Sequence, residues 1–94
     1  MGARRTDNNH AEVIAALRGL GCSVWDTHES GHGSPDCVVY VNELATLLVE
    51  IKAAKGRLTK DEAAWHARWR GQVYIVSSVD EAIALVRRVR EGGC

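Results

Sequence analysis

The chain has 94 residues, 46% of them apolar, and its 12 Lys and Arg balance 12 Asp and Glu. That length leaves room for one domain with a modest core, and the apolar content excludes disorder beyond the termini. A net charge of zero excludes binding to nucleic acid through overall positive charge, and no apolar run is long enough to span a membrane.

In chain order, Asp7 is an N-cap candidate for a first helix from about Asn8 to Gly19. Val13, Ile14, Leu17 and Leu20 share one face of it, and Gly19 and Gly21 end it. Cys22 to Asp26 reads as a strand. A glycine-rich turn leads to Ser34-Pro35-Asp36 and to two apolar, β-branched runs, 36–41 and 45–52, separated only by Asn42-Glu43-Leu44. They read as a hairpin. Thr59 caps a second helix, on which Trp65 and Trp69 stand four apart as core or interface residues rather than a base-stacking platform. Gln72 to Ser77 is the last strand, and Ser78 caps a closing helix with Ile83, Val86 and Val89 inward.

The hairpin carries the chemistry. In an antiparallel pair the start of one strand lies opposite the end of the other, so Asp36 faces the region of Glu50. Alternation puts Glu50 and Lys52 on one face and Ile51 on the other. Two carboxylates brought together repel, and a hard divalent cation, Mg²⁺ or Mn²⁺, removes that penalty. Lys52 is placed to hold or help deprotonate an attacking water, and the Ile51 carbonyl is a further ligand candidate. An acid with a lysine two residues on is also common at solvated strand edges, so the weight rests on the ordered context around the pair.

Gly33-Ser34-Pro35-Asp36 followed by Glu50-Ile51-Lys52, with a glutamate on the preceding helix, resembles the PD-(D/E)xK nuclease superfamily, within it the small stand-alone VRR-NUC type found in phages. The likeness covers roughly residues 7 to 86, including Ala53 to Thr59 and Trp69 to Tyr74. It implies an α/β, restriction-endonuclease-like core of helix, three strands, helix and strand, with a mixed sheet and a closing helix. It implies a divalent-metal endonuclease acting on branched DNA such as flaps or four-way junctions. Asp36, Glu50, Lys52 and Glu12 would be catalytic, with Asp36, Glu50, Glu12 and the Ile51 carbonyl on the metal. On the first helix Asn9 and Asp7 stand beside Glu12 as alternatives. The chain departs from the family at Glu62, where members often carry glutamine at the start of the second helix.

Charge is uneven: residues 1–49 are acid-rich, and residues 50–70 carry Lys52, Lys55, Arg57, Lys60, Arg68 and Arg70. Lys55, Arg57 and Lys60 are candidate phosphate contacts, with His32 and Glu62 beside them, against the plainer reading of a solvated face. Arg87, Arg88 and Arg90 cover the polar side of the closing helix.

His28-Glu29-Ser30-Gly31-His32 spells the zinc-protease string, which works only on a helix. The glycines and Pro35 predict a turn instead, over the metal site, in which either His28 or His32 touches phosphate or nothing, while His10 and His66 read as exposed helix residues. Cys22, Cys37 and Cys94 show no metal or redox spacing and no leader precedes them, so a cytoplasmic protein with reduced thiols is expected. A bare core without a recognition domain implies a homodimer or a partner for substrate choice. The competing class is a non-catalytic DNA-binding or subunit-docking module on the same scaffold.

Overall fold

A computed structural model describes residues 9–54 and 56–92; Asp7, Lys55 and Cys94 lie outside the described residues. The elements are α1 (His10–Gly19), β1 (Ser23–Asp26), β2 (Cys37–Asn42), β3 (Ala45–Ile51), α2 (Lys60–Arg68), β4 (Tyr74–Val76) and α3 (Val79–Arg90). The protein is thus a small α/β unit with the expected order of elements. None of its described helices is long and apolar enough to cross a membrane.

The sheet has the order β1-β2-β3-β4. The first three strands are antiparallel, and β4 joins β3 in parallel after the α2 crossover, so the sheet is mixed. The β2–β3 hairpin turns where Asn42 Oδ1 accepts the Leu44 N–H at 2.9 Å, an Asx turn that leaves Leu44 at an exposed tip. A register shift between Tyr40 and Asn42 leaves Val41 as the extra residue of a bulge.

Strand alternation divides the side chains between two faces. On one, Cys37, Val39 and Val41 of β2 with Leu47, Val49 and Ile51 of β3 are buried beneath Val13, Ile14 and Leu17 of α1 and Ala82, Leu85, Val86 and Val89 of α3. Removing each of these larger side chains from water contributes about 1.5–3 kcal/mol, which is what holds α1 and α3 on this face. Ile83, expected inward, is only half-buried; Ala82 and Leu85 complete the stripe beside Val86 and Val89. Cys22 and Cys37 are buried free thiols, and burial, aided by the charges of Asp36, Asp26 and Glu50, pushes the Cys37 thiol up to about 12. These are core residues rather than reactive ones.

The other face carries Trp25, Val38, Leu48 and Glu50, and α2 covers only part of it. Thr59 caps α2 through a capping box, its hydroxyl accepting from the Glu62 N–H at 3.1 Å and the Glu62 carboxylate accepting from the Thr59 N–H at 2.8 Å. The helix ends at Arg68, one residue before Trp69, yet the Trp69 ring still stacks on Trp65 with centroids 5.0 Å apart. With Trp25, Val38 and Leu48 these rings line an open apolar groove. Ser78 caps α3 as expected, accepting from the Glu81 N–H at 3.0 Å. Arg90 reaches back to the Leu20 carbonyl at 2.6 Å.

Candidate active site

Asp36 sits immediately before β2. The register Cys37↔Val49 puts it opposite Glu50, on the α2 face of the sheet. Its carboxylate is anchored by the chain itself: Asp36 Oδ2 accepts the Ile51 N–H at 2.7 Å. Its carbonyl accepts the Thr27 N–H at 2.8 Å, and the Pro35 carbonyl accepts the Thr27 hydroxyl at 2.9 Å. The turn before Asp36 is also wedged against α2. At Gly33, with φ +82°, a Cβ would lie 2.2 Å from the Asp61 carbonyl oxygen, so only glycine permits this approach.

Glu50 lies at the centre and is completely buried. Neither of its carboxyl oxygens has a hydrogen-bond partner among the described residues. The carboxyls of Asp36 and Glu62 stand within bonding reach, but two carboxylates are both acceptors, so a bond requires a proton on one of them. Burial first, then the Asp36 and Glu62 carboxylates, push the Glu50 carboxyl up to about 9. Burial acts the same way on Glu62, but the Thr59 N–H and Lys52 outweigh it and hold Glu62 below its usual range. The proton therefore belongs to Glu50.

Lys52 is buried as well, sharing the face of Glu50 as alternation predicts. Its Nζ donates to Glu62 Oε1 at 2.9 Å and stands 4.0 Å from Glu50 Oε2. Glu62, a candidate for contact with DNA, instead points inward as the partner of Lys52. His66, expected to be exposed, has a largely buried ring whose Nε2 lies 3.5 Å from Glu50 Oε1 without hydrogen-bond geometry. The spacing of Glu62 and His66, one helical turn apart on α2, was the available signal for this.

Of the first-helix candidates, Glu12 and Asn9 are placed differently. Glu12 is exposed on α1, away from the buried stripe, and no described contact links it to Asp36 or Glu50. Asn9 is the residue that reaches the strand ends: its Nδ2 donates to the Lys52 carbonyl at 3.1 Å and the Ser77 carbonyl at 3.0 Å. The buried Asn9 Oδ1 has no partner among the described residues.

The remaining candidates are peripheral. Arg57 and Lys60 are exposed around the start of α2. His32 is exposed with φ 59°. The segment 28–32 is a turn, as its glycines require, and not the helix that a protease needs. His28 does not line the Glu50 site; its ring packs on His10, 4.6 Å away between centroids. His10, expected to be exposed, is buried there.

The arrangement is therefore three carboxyls, a lysine ammonium and an imidazole at the C-terminal end of β3, with no donor to Glu50 among the described residues. Oxygen donors of this kind fit a hard divalent cation, which would satisfy the orphaned Glu50 oxygens. Comparison with family models, with curated proteins and with solved structures gives no match for the chain.

Proposed function

We propose that this protein is a divalent-metal-dependent DNA endonuclease with a restriction-endonuclease-like core, in line with the PD-(D/E)xK resemblance of its sequence. One observation carries the reading: the fully buried Glu50 carboxyl, with no donor on either oxygen among the described residues, faces two further acids beside a buried lysine. A structural role alone does not call for this cluster, because the Lys52–Glu62 pair is complete without Glu50.

Asp36 and Glu50 would hold Mg²⁺ or Mn²⁺, with the Ile51 carbonyl as a further ligand. A bound ion supplies charge neutralisation and polarises the scissile phosphate. The Ile51 N–H fixes the Asp36 carboxylate through one oxygen and leaves the other directed to the site. Loading would displace the proton of Glu50, and the charge of the ion would offset the mutual repulsion of the acids. Lys52, oriented by Glu62, presents ammonium hydrogens to the attacking water or to a phosphate oxygen as charge builds there. Exposed Arg57 and Lys60 stand near the start of α2 to meet flanking phosphates, with Lys55 in the same stretch of chain. We assign the protein branched DNA, read by shape, with a homodimer presenting two sites to two strands.

The test is cleavage of labelled single strand, duplex, flap, splayed arm and four-way junction with Mg²⁺, Mn²⁺ or EDTA, beside Asp36→Asn. Metal-dependent cuts in branched substrates, absent in Asp36→Asn, are expected, and paired symmetric cuts in the junction would establish the dimer. Binding without cleavage of any substrate in either metal would overturn the enzyme in favour of a docking module.

A further inference from the structure

His10, Asp26 and His28 come from two pieces of chain: the first residue of α1, and the end of β1 with the turn that follows it. They converge closely. His10 Nε2 lies 3.3 Å and 3.2 Å from the two Asp26 oxygens, and His28 Nδ1 lies 2.6 Å from Asp26 Oδ1. One ligand atom from each residue fits within 4.8 Å of the other two. Asp26 pairs with Cys37, and Cys37 with Val49, so this cluster stands on the face of the sheet opposite Glu50.

We propose that His10, Asp26 and His28 form a three-ligand site for Zn²⁺, separate from the carboxylate cluster around Glu50. Two imidazoles and one carboxylate are a borderline-soft donor set that selects Zn²⁺ over Mg²⁺ or Mn²⁺. Ligand bonds of about 2.0–2.2 Å in a tetrahedron place neighbouring donor atoms roughly 3.3 Å apart. The His10–Asp26 separation already has that value. The shorter His28–Asp26 approach is a hydrogen bond whose proton an ion displaces. Glu29 Oε2 lies 3.6 Å from His28 Nε2, where a carboxylate orients an imidazole whose other nitrogen binds metal. His10 is buried, while about a third of the Asp26 side chain is accessible, so the site has a firm base and an open mouth with room for water as fourth ligand.

The consequence is local. Thr27, between Asp26 and His28, holds the Pro35 and Asp36 carbonyls. An ion here staples the turn that delivers Asp36 to α1. The zinc-protease string thus contributes one histidine to a metal, with a partner far away in sequence instead of His32.

The experiment uses the full chain carrying Cys94→Ser, so that the terminal thiol supplies no ligand. It is stripped with EDTA, dialysed and titrated with Zn²⁺ against a chromophoric chelator, then loaded with Co²⁺ for visible spectroscopy. One ion per chain that millimolar Mg²⁺ does not displace is expected, with a Co²⁺ spectrum of four- or five-coordinate type. His28→Ala, in a partly exposed turn, should weaken Zn²⁺ on the order of 100-fold with the far-UV spectrum unchanged, and His10→Ala by as much or more. Glu50→Gln should leave Zn²⁺ affinity unaltered. No binding at micromolar Zn²⁺, or binding lost in Glu50→Gln but kept in His28→Ala, would overturn the site and leave the three residues a hydrogen-bonded clamp.

Discussion

Glu50→Gln tests the heart of the candidate site without any knowledge of substrate. Without a divalent ion, the folded protein holds a proton on Glu50 up to about pH 9, whereas the exposed carboxyl of the unfolded chain releases it near 4.5. A raised acid of this kind stabilises the fold fully below the unfolded value, and that contribution drains away as pH climbs toward the folded one. The slope is at most about 1.4 kcal/mol per pH unit, so raising pH from 5 to 7 costs up to about 3 kcal/mol. A domain of this size has only about 5–15 kcal/mol in all. Glu62, held below its usual range, is already ionised throughout that interval and adds no slope of its own. In EDTA the melting temperature of the parent protein should therefore fall by about 10 °C or more between pH 5 and 7. Glu50→Gln has no proton to lose, and its amide can donate to Asp36 or Glu62. Its curve should be flatter by that amount and its melting point at pH 7 higher than the parent's. Millimolar Mg²⁺ should restore the parent protein increasingly as pH rises, because the ion replaces the proton. Circular-dichroism melts of both proteins decide it; a flat or rising parent curve in EDTA, or the same slope in Glu50→Gln, would refute the account.

Asp36→Asn should abolish metal-dependent cleavage while binding to a four-way junction persists in a gel-shift assay; unchanged turnover would remove the site. Lys52→Ala should lower turnover more than metal affinity, and calorimetry showing equal losses would make the lysine an organiser of ligands. Gly33→Ala should destabilise by about 2 kcal/mol or more in thermal melts, from its positive φ and the collision with the Asp61 carbonyl. Gly31→Ala, at φ +78° with nothing near its Cβ, should cost only about half as much. Neutralising Arg57 and Lys60 should each reduce the salt slope of DNA binding by about 1, and an unaltered slope would return them to a solvated face.

The hairpin was legible because everything that fixes it is local. Two β-branched runs and a three-residue turn containing Asn42 set the register, and the register alone brings Asp36 to Glu50. The caps at Thr59 and Ser78 were equally readable, each being a side chain bonded within one turn. What was not legible depends on how helices are phased against the sheet. Glu12 has the right chemistry for a ligand, but the apolar stripe of Val13, Ile14 and Leu17 turns it outward, and the capping position of α1 carries Asn9 to the ends of β3 and β4. The spacing of Glu62 and His66 puts them on one side of α2, but it does not say that this side meets Glu50 and Lys52. His10 looked like an exposed helix start because Asp26 and His28, which cover it, arrive from later segments of the chain.

The costs of the cluster point to what it is for. A small core has little stability to spare, and Glu50 draws on it by bringing a carboxyl into complete burial against two other acids. The surrounding residues do not relieve that penalty. Lys52 bonds Glu62 in preference to Glu50, His66 stops at 3.5 Å, and the Ile51 N–H is committed to Asp36. A fold selected for stability alone would place leucine or glutamine at position 50, as buried ionic groups can often be replaced by apolar ones without loss. Local conflict in an otherwise consistent structure is what a functional position would show, and the proposed divalent ion is the partner that would relieve it. The proposed ion would be positively charged, take oxygen ligands and enter from the α2 side, and it would stabilise the site most strongly at the pH values where the metal-free protein is weakest.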